Sequence, residues 1–180
     1  MKRQVFLWVF ILIASLILAL FTDMSSQANA NTVKLKISSI DTPESHVTSG
    51  GGERGAAIAG LSDGRYLLGG GKAGFTLYLF DPISGTERTL GRVAKANQRL
   101  DDSRFAITDI GVLSQKGNRA DVVISYPQYD RSRQCVSLAL SFYQVNLGIK
   151  GKVKSKGNWF TSKPCVPVSA VQHAAGRIAV

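Results

Sequence analysis

Residues 61–85 read Leu61-Ser62-Asp63-Gly64-Arg65-Tyr66-Leu67-Leu68-Gly69-Gly70-Gly71-Lys72-Ala73-Gly74-Phe75-Thr76-Leu77-Tyr78-Leu79-Phe80-Asp81-Pro82-Ile83-Ser84-Gly85, and this stretch decides the fold. Its Asp63-Gly64 pair lies between two apolar runs and supplies the positive φ angles that a tight hairpin needs. Phe75 to Phe80 is dense in aromatic and β-forming residues, as strands are. Asp81-Pro82-Ile83-Ser84-Gly85 then reverses the chain again. The pattern is strand, turn, strand, turn, with no helical period anywhere in it.

The same grammar runs outward in both directions. Val136, Leu138, Leu140 and Phe142 alternate with Ser137, Ala139, Ser141 and Tyr143, a period of two. Further candidate strands are Val33–Ile40, Ala57–Leu61, Arg65–Leu68, Arg88–Val93, Phe105–Leu113, Val122–Tyr126 and Gly151–Lys156, with another turn at Lys116-Gly117-Asn118. Strands spaced every 8–12 residues or so belong to a sandwich, a barrel or a propeller. Consecutive hairpins around residues 61–85 favour the propeller, whose four-stranded blades take about 40–45 residues each. The expected fold is all-β, a partial β-propeller of about three to four blades over residues 31–180. Lys150, Lys152, Lys154 and Lys156 would share one face of a strand, the usual protection of a sheet edge against aggregation.

The chain has 180 residues, 22 of them basic and 12 acidic, with a formal net charge of +10. That length fits one domain, and 44% hydrophobic residues make a globular composition rather than a disordered one. Lys2 and Arg3 precede the uncharged apolar run Val5–Phe21, and Ala28-Asn29-Ala30 follows as a small-x-small cleavage site. This is the layout of a secretory signal peptide. The run is longer than a usual signal core, so an uncleaved N-terminal membrane anchor is the alternative. The expected organisation is therefore residues 1–30 as signal or anchor and 31–180 as the β domain, exported to the periplasm or beyond. An exported protein with scattered basic residues points to anionic cell-surface material as partner, not to nucleic acid, and to a membrane only through residues 1–30.

Cys135 and Cys165 are the two cysteines, and in an exported chain they most simply pair with each other. Closing a loop of that size is worth about 3–4 kcal/mol on chain entropy. Two free thiols are the alternative. Most catalytic signatures are missing: there is no G-x-S-x-G, no HExxH and no CxxC. Gly69-Gly70-Gly71-Lys72 is not a phosphate loop, because Tyr66 stands where its first glycine should be and Ala73 where Ser or Thr would bind magnesium. Of the two histidines, His46 lies in a polar stretch, whereas His173 precedes Ala174-Ala175-Gly176-Arg177-Ile178.

In order along the chain come Phe105-Ala106-Ile107-Thr108-Asp109-Ile110, Val122-Val123-Ile124-Ser125-Tyr126, Trp159-Phe160-Thr161-Ser162-Lys163-Pro164-Cys165 and His173-Ala174-Ala175-Gly176-Arg177-Ile178. This series resembles the early blades of the PQQ-dependent soluble aldose dehydrogenases, the glucose/sorbosone dehydrogenase family, over roughly residues 55–180. The resemblance implies a six-bladed propeller that oxidises an aldose to a lactone with PQQ and calcium. It implies that His173 is the general base taking the C1 hydroxyl proton, that Asp109 reaches the cofactor pocket, and that Arg177 is a strand residue.

The sequence departs from that family in two ways. Ala175-Gly176-Arg177 replaces Gly-Gly-Arg, and Val180 falls inside the strand after the histidine, so the family's later blades with their cofactor and calcium ligands are not in this sequence. The expectation is a truncated or split dehydrogenase-like chain, inactive alone, binding neither PQQ nor calcium by itself. Such a chain would await its remaining blades or associate with itself. The alternative, from another class, is a non-catalytic exported β-sandwich-like binding module of the cell envelope.

Overall fold

A computed structural model describes Ser39 and residues 56–173 and 176–180, the side chains of Gln172 and His173 excepted. The signal or anchor expected in residues 1–30, most of the candidate strand 33–40 and His46 lie outside the described residues. The described chain is all-β, with short 3-10 turns and no α-helix among the described residues.

Strands β1 (Ala56–Gly60), β2 (Tyr66–Gly70), β3 (Thr76–Asp81) and β4 (Thr86–Arg92) form one antiparallel meander. Strands β5 (Asp109–Lys116), β6 (Arg119–Asp130), β7 (Cys135–Asn146) and β8 (Lys152–Thr161) form a second, and the two-residue β9 (Val166–Pro167) pairs with the start of β7. Asp63-Gly64, Pro82–Gly85 and Gly117-Asn118 sit in the reversals, with Gly64, Gly85 and Gly117 at positive φ as those turns require.

The two sheets pack face to face in the same strand order, β1 over β5 and β4 over β8. Leu67, Leu77, Leu79 and Leu90 from the first sheet meet Val122, Ile124, Ala139 and Val145 from the second in one core. Phe75 meets the Tyr126 ring edge-on at 5.9 Å between centroids. Such burial is the main favourable term in the fold, at about 25 cal/mol per Å² of apolar surface removed from water.

Two arginines fasten the sheets at one end. Arg65, beside the first hairpin, donates to the Leu147 carbonyl at 3.1 Å, and Arg88 on β4 donates to the same oxygen at 3.1 Å. Asp63 accepts from Arg65 at 2.7 Å and from the Gln115 amide on β5 at 2.8 Å, while Gln115 Oε1 accepts the Ser62 N–H. Arg65 holds the Asp63 carboxyl down at about 2.

Several expectations are revised. The described residues hold two four-stranded meanders, not about three to four blade units. The excess chain goes into 12-residue strands β6 and β7 and into the connection 93–108. The strand expected over Phe105–Leu113 begins only at Asp109. Phe105, Ala106 and Ile107 are buried instead as a plug, with the Ile107 N–H donated to the Gly74 carbonyl. β6 runs well beyond Val122–Tyr126 and through Pro127, which lacks a donor. No ladder bond is lost there: Pro127 stands opposite Leu138, whose N–H and C=O both turn the other way, to Ser162.

Lys152, Lys154 and Lys156 are exposed along β8, the edge of the second sheet, and Val153 between them packs on the core. On β7 the small residues Ser137, Ala139 and Ser141 are buried, with Tyr143 and Val145. The larger Leu138, Leu140 and Phe142 are only partly covered, on the other face.

Candidate functional site

The residues that the sequence singles out gather on the outer face of the second sheet and at its disulfide end. Asp109 opens β5, and both of its carboxylate oxygens are engaged. Oδ1 accepts the Ile110 N–H at 3.0 Å and Oδ2 accepts the Ile178 N–H at 2.7 Å. Asp109 therefore binds residues 176–180 to the edge of the sheet. Ser125 on β6 adds a second attachment, donating to the Gly176 carbonyl at 2.8 Å, and its hydroxyl is bonded to that of Thr108.

Gly111 makes room for this segment. A Cβ at Gly111 would lie 2.7 Å from Ile178 Cγ2 and 3.2 Å from Val180 Cγ1, closer than packed side chains stand. Ile178 and Val180 thus roof the Gly111–Val123 region, and Val123 is 1% exposed. Arg177 points into solvent.

Cys135 and Cys165 form a disulfide, with Cα atoms 5.7 Å apart. It joins the first residue of β7 to the loop after β8, beside the β9 pairing of Cys135 with Pro167 and Val136 with Val166. A disulfide fits an oxidising, exported compartment. From there the chain enters a 3-10 segment, Val168–His173, anchored by the fully buried Val171. His173 closes that segment, and its side chain lies outside the described residues.

Beyond the roof of residues 176–180 the outer face stays open. Phe142 and Trp159 stack at 5.5 Å between centroids and 27° between planes, and Phe160 lies across from Leu140. Trp159 is 63% exposed and Phe160 49%. The inner face of the same strands is a hydrogen-bonded interior. Tyr126 and Ser141 share a hydrogen bond of 2.9 Å, the Tyr143 hydroxyl donates to that of Tyr126, and the Ala94 N–H donates to Tyr143 at 3.0 Å. Burial pushes the Tyr143 phenol well above its ordinary range.

Among the described residues no three His, Cys, Asp or Glu side chains come together to hold a metal ion. Both Asp109 oxygens are taken by backbone amides, so this carboxylate is committed to holding residues 176–180. No helix among the described residues is long and apolar enough to cross a membrane. The aromatic strip is the feature that the sequence reading missed. Its signal was present: over Ser137–Phe142 of β7 the larger residues and the small ones occupy opposite faces, and small residues suit the tighter interface.

Compared with known protein families, with curated proteins and with solved structures, the chain shows no match in any of the three.

Proposed function

We propose that the protein is an exported, non-catalytic β-module, a pair of propeller-type sheets that assembles by its outer face, and that the occupant of that face is a second copy of the chain. The observation that carries this reading is the open strip of Leu140, Phe142, Trp159 and Phe160. Contiguous apolar surface of this kind marks an interaction site in a soluble protein. The strip continues a face already partly covered by residues 176–180, so a partner would extend an existing interface rather than start a new one. The lysines of β8 disfavour edge-to-edge pairing and leave face-to-face contact as the favoured mode. Two copies related by a two-fold axis would bring the strip against itself.

Sedimentation equilibrium on the purified exported chain tests this. Dimers are expected in the micromolar range, and Trp159→Ser with Phe160→Ser should give a monomer of unchanged melting temperature. A wild-type chain that stays monomeric at about 100-fold higher concentration removes the proposal.

Dehydrogenase chemistry is the second reading. It is supported by the strand-for-strand stacking of the two sheets and by the place of residues 176–180 against β5, where a third innermost strand would begin. In that reading PQQ would supply hydride acceptance and His173 would hold the proton of the sugar hydroxyl. An assay with glucose, PQQ and calcium separates the two readings. Oxidation that disappears in His173→Ala would establish the enzyme, and no oxidation is expected.

A further inference from the structure

At the end of the sheet pair opposite the Arg65 fastening lies an open cleft of about 680 Å³, within the size range of small-molecule sites. Its floor includes Phe75 and Phe105, both buried, and its walls are the Gly71–Thr76 connection, residues 96–103 and the β6–β7 turn. Four cationic side chains line it: Lys72, Arg92 and Arg131, all exposed, and Arg99, partly buried. Among the described residues none of the four is in an ion pair.

Two carboxylates also line the cleft. Asp102 is already held by Arg104, through Nη2 at 2.6 Å and Nε at 2.9 Å, and this pairing keeps its carboxyl below the usual range. Asp101 is exposed at the rim. The decisive group is Arg99. Its Nε is buried and has no hydrogen-bond partner, an expensive state for a charged donor. With Nε inside, the two terminal nitrogens of the guanidinium are left as the planar pair of donors that matches two oxygens of a carboxylate or phosphate.

We infer that this cleft binds a small multivalent oxyanion, a molecule carrying two or more phosphate or carboxylate groups, with Arg99 engaging one group and Lys72, Arg92 and Arg131 the others. The site does not depend on the assembly face or on His173. It gives Lys72 a use that no phosphate-loop motif would have revealed, because the cations come from three separate connections and the end of β4.

Isothermal titration of the purified exported chain with tripolyphosphate in one series and trigalacturonate in another tests the inference. The two probes distinguish phosphate from acidic-saccharide sources of the same chemistry. Saturable one-site binding of at least one probe is expected. Arg99→Gln and Lys72→Gln should each weaken it about tenfold or more, as loss of a hydrogen bond to a charged group does. Lys72 is exposed, so its variant keeps the fold even if that of Arg99 does not. The triple variant Lys152→Gln, Lys154→Gln, Lys156→Gln removes three charges outside the cleft and should change affinity less than about twofold, since screening confines exposed charges to short range. The inference fails if neither probe binds below millimolar concentration, if Lys72→Gln binds as wild type, or if the triple variant loses as much as the cleft variants.

Discussion

The two faces of the β5–β8 sheet are built on opposite principles. The inner face packs small residues, Ala139 and Ser141, under a second sheet, and ties its polar atoms into the chain Ala94, Tyr143, Tyr126, Ser141. The outer face carries larger apolar groups, Leu140, Phe142, Trp159 and Phe160, and leaves much of them in water. Over Ser137–Phe142 of β7, hydrophobicity alone would have chosen the other face for the core, although on β6 the inner Val122, Ile124 and Tyr126 make the inner face the more apolar one. What decides is fit: stability comes from interdigitation with the opposing sheet, and bulky side chains left over on a folded surface are available for a partner.

The contrast breaks most clearly on the inner face. Leu77 is fully buried between the sheets, and Leu77→Ala should lower unfolding free energy by up to about 5 kcal/mol in a denaturant titration. A loss under about 1 kcal/mol would mean that the two sheets do not share a core. Next comes the disulfide, which closes a loop spanning 30 residues and fastens the chain that returns over the outer face. Cys135→Ser with Cys165→Ser should cost about 3–4 kcal/mol and make residues 176–180 exchange amide hydrogens faster, while β2 and β3 keep their protection. Uniform loss of protection would show that the two faces are not separable.

Tyr143→Phe removes the hydroxyl that receives the Ala94 N–H and should cost about 1–3 kcal/mol, because a buried donor is left unpaired. Asp63 gives the smallest effect. Its folded carboxyl titrates near 2, below the ordinary 3.8, so its contribution is complete above about pH 4 and disappears as the pH falls through 2. Asp63 is partly solvated, so that contribution should stay below about 1 kcal/mol. Asp63→Asn should flatten the stability profile between about pH 4 and 2, and an unchanged profile would remove Asp63 from the fastening of the sheets.

Much of the fold was legible. Asp63-Gly64 and the Pro82–Gly85 turn marked the reversals, and the alternation on β7 and β8 marked the strands, because turn chemistry and period two are local properties. The Cys135–Cys165 pairing was readable for a different reason, since the chain has two cysteines and they have one simple arrangement. The number of sheets was not readable. Strand length depends on how far a neighbour continues, and β6 runs to Asp130 only because β7 accompanies it to Cys135. The role of Asp109 was equally hidden, since its partner Ile178 is 69 residues away and meets it only through the path of the chain after the disulfide. The basic cleft had no sequence signature at all, its cations being scattered over residues 72–131.

Gly111 has a consequence for how this protein would be degraded. One methyl group there would collide with Ile178 and Val180 and lift residues 176–180 away from β5. A lifted segment is cleavable by proteases, and its displacement would bare Val123 beside Phe142. The lifetime of the folded chain thus hangs on a missing carbon atom near the start of a strand whose far end is exposed.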